Sequence, residues 1–535
     1  MLTLPLDPTS SLARPAFRDE ASCAHWLGQL QLTNLQLAHN QLLIQLNEFN
    51  SYPMRGLERF NTLEVLRETL CHVQDDFSKK LIAKPLPLNE NELLIFQTIV
   101  QLWQSLVLGY RRCLQAYIDG ERALSKYGAI LCQRCLIFSG KEILEHLRTG
   151  YEFAPKLWLQ LHELYAYAEL NSLHEVDVVD QNAPQTQSSC VNSYVKTLLA
   201  CYAHPAQLTR WQLQHLDRWL TLWSNTVTIV PTYQIGDDEA HTLAVDLSST
   251  MGLQPIDELY HHDTMRYLVM APLEKLLRVK TTLLQQGETP QQLDLGDHYD
   301  SQACIELLNF LHQSWCENMR KNRDARKPIA RNADLCYKPE GIYAHLSRKP
   351  FKPREGYMQV RAAVALSSSE LQEAHNKELV EMGYPLENWQ MENESVMGAR
   401  LSRVDKIGGR FNYRQLIGLR PSDAQSFILG TTAWANVSQT GRLQIGIKYL
   451  PGRPAAVSVR TSDLSPNSPE INAPAFLLPD LPMLKIRASL VIPRDWFQAD
   501  RLIELFYLDG KKCYIRLDFS IERGPDYERV SFTPV

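Results

Sequence analysis

The sequence lacks any apolar run that is both long and unbroken. Its start, MLTLPLDPTSS, has neither the basic region nor the continuous hydrophobic stretch of a secretory leader, so no leader is expected. The most apolar segment, Leu93 to Tyr110, is interrupted by Gln97, Gln101 and Gln104 and reads as a buried helix, not a membrane span. Charge of one sign is equally scarce. Lys and Arg number 55 against 60 Asp and Glu, a net of -5, which argues against wholesale binding to DNA. There is no disulfide framework: the 11 cysteines are odd in number and scattered. Several, such as Cys132, Cys135 and Cys201, sit in apolar helical contexts, the pattern of reduced thiols in a cytoplasmic protein.

Catalytic signatures are missing too. Ser139-Gly140-Lys141-Glu142 lacks both the upstream glycine and the following hydroxyl residue of a phosphate-binding loop. His162-Glu163 and His174-Glu175 each begin like a zinc-protease helix, but Ala166 and Val178 stand where the second histidine belongs. Cys132-x-x-Cys135 has no second pair and reads as core; His261-His262-Asp263 reads as a polar turn sooner than a metal site. No enzyme, metal or cofactor is expected.

What is present divides by period. With 535 residues the chain exceeds one cooperative core. From about Thr33 to Trp315 the pattern is mostly helical. Phe96, Ile99, Val100, Trp103, Leu106, Val107 and Tyr110 recur at three- and four-residue steps, one apolar helix face. Asn89 and Glu92 have the spacing of a capping box at its start, after Pro85 and Pro87. Ala123–His146 and Pro155–Leu170 look like a helical hairpin. Val178 to Ser189 reads as an exposed loop, and TVTIVPTYQ and HTLAVDLSS, flanking the turn IGDDEA, predict a β-hairpin near 226–252.

From about Leu335 short β-type runs take over, among them Gln415–Leu419, Ser426–Trp434, Leu443–Tyr449, Ala456–Val459, Leu502–Tyr507 and Cys513–Ile521. Leu508-Asp509-Gly510-Lys511 is a strong hairpin signal between two of them. One interruption, Ser367–Met382, is helical in pattern. The expected class is therefore α+β multidomain: a helical region over 1–315, an antiparallel β-barrel with a helical insertion over 316–470, and a β extension over 471–535 that packs on the barrel. Trp434 and Leu443 are expected inside the barrel and Ser395 on its surface.

One constellation speaks to function. Trp389-Gln-Met-Glu-Asn393-Glu-Ser395-Val-Met-Gly398-Ala-Arg-Leu401 leads a short strand into an Asn-x-Ser-x-x-Gly turn. Gln415–Leu419, Leu429-Gly430, Ala433-Trp434 and Gly441–Leu450 then follow as Gly-punctuated strands. This stretch resembles a PilZ domain, most of all PilZ-related proteins of β-proteobacterial type with a long helical N-terminal region. The resemblance covers roughly Arg320 to Arg460. It implies a barrel that binds cyclic di-GMP, with Asn393, Ser395 and Gly398 beside a guanine.

The family's first signature, R-x-x-x-R, grips phosphate and guanine with guanidinium forks. Its counterpart here is the segment from Arg320 to Arg331, with six basic residues in twelve. Arg320, Arg323, Arg326 and Lys327 are the candidate ligands, yet the four-residue partner of Arg323 is Lys327, not arginine. A solvated basic linker is the alternative for this segment, and an ordinary polar turn for Asn393–Gly398. The spacing does occur at Arg410/Arg414, after the turn and so out of the family's order. Two functions stand. One is a cytoplasmic, cyclic-di-GMP-responsive regulator that signals through its helical region to a protein partner. The other is a scaffold with a degenerate barrel that binds no nucleotide.

Overall fold

The computed structural model describes the chain apart from residues 1, 3, 5–8, 83, 180–186, 233–242, 257–261, 298–299, 318–326, 353–368, 406 and 462–471, and apart from the side chains of 210 and 369–373. It divides into two compact units, one of residues 1–84 and 88–322, the other of 85–87 and 323–535.

Among the described residues the first unit is built on the helices α1 (Glu20–Gly28), α2 (Leu35–Ser51), α3 (Gly56–Ser78), α4 (Glu90–Ile118), α5 (Gly128–Thr149), α6 (Lys156–Leu170), α7 (Cys190–Tyr202), α8 (Arg210–Trp223), α9 (Ala271–Gln285) and α10 (Ser301–Cys316). α4 begins where the sequence says it should. The Asn89 side chain accepts from the Glu92 amide at 2.9 Å, and Glu92 returns a bond to the Asn89 amide at 3.0 Å. Its apolar stripe, including Phe96, Ile99, Trp103, Leu106 and Tyr110, is buried. Among the described residues α4 is the one helix long and apolar enough to cross a membrane, and half of its apolar window lies inside the fold.

Several polar groups inside this core are paired. Arg134 on α5 forks onto Glu64 of α3 at 3.0 Å through both Nε and Nη2, and the Tyr110 hydroxyl donates to the same carboxylate at 2.6 Å. The near-zinc and near-phosphate motifs are packing devices. His162 is fully buried, with Nδ1 2.6 Å from the Tyr194 hydroxyl and Nε2 2.9 Å from the Met251 carbonyl. Burial lowers its pKa, so the ring is neutral. A side chain at Gly140 would meet Thr197 Oγ1 at 2.5 Å, so glycine lets α5 and α7 approach. All eleven cysteines are free, most of them buried, and no cluster of metal-binding side chains occurs among the described residues.

Two short strands, β1 (Val178–Val179) and β2 (Gln187–Ser188), pair with each other. The remaining strands of this unit correct the expected hairpin. β3 (Thr228–Val230), β4 (Leu243–Asp246), β5 (Gln254–Pro255) and β6 (Met265–Val269) form a sheet in the order β3-β6-β4-β5. β3 and β4 are not neighbours; β6 lies between them and bonds to both. The turn IGDDEA itself falls outside the described residues.

The second unit holds two closed antiparallel barrels. The first comprises β7 (Lys327–Tyr337), β8 (Leu386–Ser395), β9 (Gly398–Arg403), β10 (Leu416–Pro421), β11 (Ile428–Val437) and β12 (Leu443–Tyr449), closed in the order β10-β11-β12-β9-β8-β7. Between β7 and β8 come α11 (Pro339–Ser347) and α12 (Ser369–Glu381), the second of which is the helical insertion read from the sequence. Segment 85–87 joins this barrel: Leu86 and Phe411 exchange backbone bonds of 2.9 and 2.7 Å, and Arg410 donates to the Pro85 and Pro87 carbonyls.

The last strands are β13 (Ala455–Thr461), β14 (Ala473–Leu478), β15 (Ser489–Ile492), β16 (Leu502–Tyr507), β17 (Lys512–Arg523) and β18 (Glu528–Pro534). They close a barrel of their own in the order β13-β14-β15-β18-β17-β16. So the region past 470 is not an extension; it shares a barrel with β13, which pairs with both β14 and β16. The predicted Asp509-Gly510 turn does join β16 to β17, with Gly510 in the left-handed region at φ 87°. Ile342 and Tyr343 of α11 fill the seam between the barrels, against Leu416 and Leu429 on one side and Phe476, Val491 and Tyr527 on the other.

Candidate functional site

The Asn-x-Ser-x-x-Gly motif forms the tip of the β8–β9 hairpin. Ser395 pairs with Gly398 across a two-residue turn whose Val396 and Met397 are exposed. Ser395 Oγ accepts from the Met397 amide and donates to the Gly398 carbonyl, both at 3.3 Å, so this hydroxyl shapes the turn. Gly398 is fixed by sterics: a Cβ there would lie 2.0 Å from the Ile447 carbonyl oxygen of β12. Asn393 differs from both. It lies within β8 beside a bulge between Met391 and Asn393, and its Oδ1 is buried without a hydrogen-bond partner. Of the three motif residues it is the one with a buried polar side-chain atom that lacks a partner.

Strand register shows what shares the face of this motif. Asn393 stands opposite Arg400, Arg400 opposite Gly446, and Gly446 opposite Trp434. Directly paired residues project to the same side of a sheet. That side is the outer one, because the neighbours Ala399, Leu401, Ile445 and Ile447 point into the core. Exposed Lys448 is on it as well, opposite Gly398.

Trp434 therefore corrects an expectation. It is half-buried on the outer face, not inside the barrel, because a bulge between Thr432 and Trp434 shifts the alternation of β11 by one. The buried tryptophan of this barrel is Trp389, while Leu443 is buried as expected and Ser395 is partly exposed. The Trp434 indole covers Gly446, where a Cβ would fall 2.0 Å from Nε1. The Arg400 guanidinium lies 5.9 Å from the indole centroid and is held by Glu392 at 2.7 Å and Gln444 at 2.9 Å.

Of the basic segment, Arg320, Arg323 and Arg326 lie outside the described residues. Lys327 is exposed at the start of β7, opposite Glu394, and Pro328 is opposite Asn393. Lys327 thus projects to the other side of the hairpin from Asn393. Arg331, on that second side, is committed: it bonds Glu394 at 2.6 Å and Asp423 at 2.5 Å. Glu394 also accepts from the Tyr449 hydroxyl at 2.9 Å, a contact that with burial raises the tyrosine pKa. Arg400, Lys448 and Trp434 were absent from the candidates read from the sequence. Arg400 had a usable signal, a cation between the inward Ala399 and Leu401; the bulge hid Trp434.

Residues 21–232 match the model described as "Cyclic-di-GMP receptor FimW, N-terminal domain", and residues 457–535 match the "FimW C-terminal beta-barrel domain". Both ends of the chain are FimW-like. The second match coincides with the barrel of β13 to β18, and the two together bracket the barrel that carries the Asn393 hairpin. The protein named cyclic-di-GMP receptor FimW, from Pseudomonas aeruginosa, is 22% identical over 526 aligned residues, covering 90% of this chain and 85% of its own.

Proposed function

We propose that this chain is a cyclic-di-GMP-responsive regulatory protein, a receptor and not an enzyme, whose first barrel is PilZ-like and takes the nucleotide on its outer face. The similarity to a cyclic-di-GMP receptor along nearly the whole chain supports the function. The observation that carries the site is Asn393: a buried amide oxygen without a partner, on the face shared with Arg400 and Lys448. An unsatisfied acceptor costs stability unless something fills it, and a guanine offers N–H donors at its Watson–Crick edge. The cations needed by two phosphates come from Lys448 and from Arg320, Arg323 and Arg326, in the segment that joins the helical unit to the barrel. Drawing that segment onto the nucleotide is how occupancy reaches the helical unit and, through it, a protein partner. We place the protein in the cytoplasm, consistent with its free thiols.

Titration of the full chain with cyclic di-GMP, variant by variant, tests this. Arg326→Ala should weaken binding about ten- to hundredfold, since charge-assisted bonds to phosphate are worth roughly 1.5–3 kcal/mol. Lys448→Ala should weaken it as well, because Lys448 is exposed on the face that Asn393 shares. If the wild type gives no heat, the nucleotide reading is lost and the barrel is a scaffold.

A further inference from the structure

A cavity of about 500 Å³ opens between α4, α5 and α6, wholly within the helical unit. Small-ligand pockets fall at roughly 300–1,000 Å³. Part of its lining is apolar, from Val107 and Leu108 of α4, Leu157 of α6 and Phe153 just before it. Two opposite charges line it as well, Arg111 from α4 and Glu142 from α5. Each is held by a neutral amide and not by the other: Arg111 Nη2 donates to Gln160 Oε1 at 3.1 Å, and Glu142 Oε1 accepts from Gln104 Nε2 at 2.7 Å. Glu142 is only 6% exposed, and burial raises its pKa against the pull of Gln104, Arg111 and Lys156, the mark of a carboxylate short of positive charge. Two donors stay unspent beside it. Arg111 Nε and Ser139 Oγ both lack a partner, and Ser139 is 1% exposed. Buried donors without acceptors cost stability, and an arriving acceptor recovers that cost.

We propose that this cavity binds a small zwitterion with an apolar side chain, an α-amino acid by chemical class, its carboxylate on Arg111 and Ser139, its ammonium on Glu142 and its side chain on Leu108, Phe153 and Leu157. A carboxylate suits the guanidinium and gives both unspent donors an acceptor. The ammonium supplies the positive charge that Glu142 lacks. A peptide C-terminus would bring the carboxylate without the ammonium and leave Glu142 uncompensated, so the charge pattern favours the free amino acid. The site does not depend on the nucleotide reading, because every residue lining it belongs to the first unit.

Isothermal titration of the full chain with L-leucine, L-phenylalanine, L-phenylalaninamide and 3-phenylpropionate tests this, with melting temperatures taken in parallel. The wild type should bind at least one of the two amino acids. The amide and the propionate each lack one charge and should bind at least about tenfold more weakly than phenylalanine. Arg111→Leu should weaken amino-acid binding about ten- to hundredfold, as loss of a charge-assisted bond does. Glu142→Gln keeps an acceptor for Gln104 and removes a buried charge, so its melting temperature should not fall. It should weaken amino-acid binding by a similar factor and leave 3-phenylpropionate no weaker; a merely structural role for Glu142 would move both ligands alike. Should Arg111→Leu fail to fold, Glu142→Gln decides the matter. No heat with either amino acid, or amide and propionate bound as well as phenylalanine, overturns the proposal. So does a peptide ending in phenylalanine that binds where the free amino acid does not, which would make the cavity a docking groove.

Discussion

Gly398 is a motif residue that packing alone demands. Its missing side chain is what allows β9 to lie against the Ile447 carbonyl, so Gly398→Ala has to push two paired strands apart. We expect a loss of about 1–3 kcal/mol, read as a lower melting temperature whether or not nucleotide is present. The two tryptophans of this barrel should separate in the same assay. Trp389→Ala empties a fully buried site and should cost roughly 3–5 kcal/mol; Trp434→Ala, at a half-buried position, should cost clearly less. Equal losses would contradict the outward placement of Trp434. Asp526 offers a pH test. It accepts the Leu416 amide at 3.0 Å, and burial raises its pKa to about 6. The unfolded chain ionises this group near 4, so between pH 4 and 6 the folded state holds more protons and stability falls as pH rises. Asp526→Asn keeps the acceptor without the charge. It should raise the melting temperature at pH 7 and leave it nearly unchanged at pH 4; no gain at pH 7 would exclude the account.

At the scale of elements, the helical unit contains a partly buried ionic knot that fastens three helices. Asp217 of α8 is 2.7 Å from Lys196 of α7 and 3.4 Å from Lys141 of α5. The two ammoniums hold its carboxyl far below the usual carboxylate range against the cost of burial. Asp217→Asn leaves two lysines without their shared counter-charge, and we expect a loss of roughly 1–3 kcal/mol at these partly exposed side chains. A melting curve indistinguishable from wild type would show the knot to be incidental. The elements also show what a sequence can convey. The start of α4 was legible because Asn89 and Glu92 are three residues apart and interact locally, and so was the β16–β17 turn at Asp509-Gly510. Pairings that skip along the chain were not legible. β6 enters between β3 and β4 from downstream, and β13 closes its barrel by pairing with β16 some forty residues later. The bulge beside Trp434 inverted an alternation that otherwise reads correctly. On the first barrel, the turn at Asn393–Gly398 was legible from its spacing, but Arg400, Lys448 and Trp434 come to one face by register alone.

The whole molecule comprises a helical unit and a second unit of two barrels. The chain passes between the two units more than once, because segment 85–87 is held in the second by the Phe411 pairing and by Arg410. A signal arising on the first barrel thus has a covalent route into the helices at 84 and 88 as well as at 322. Everything rests on whether the barrel takes its nucleotide. Isothermal titration of the intact chain with cyclic di-GMP, with GTP as the control, tests this most directly. The account predicts a saturable heat with cyclic di-GMP that shrinks as salt is raised, and none with GTP. A flat trace with cyclic di-GMP, from protein that melts cooperatively, would contradict it.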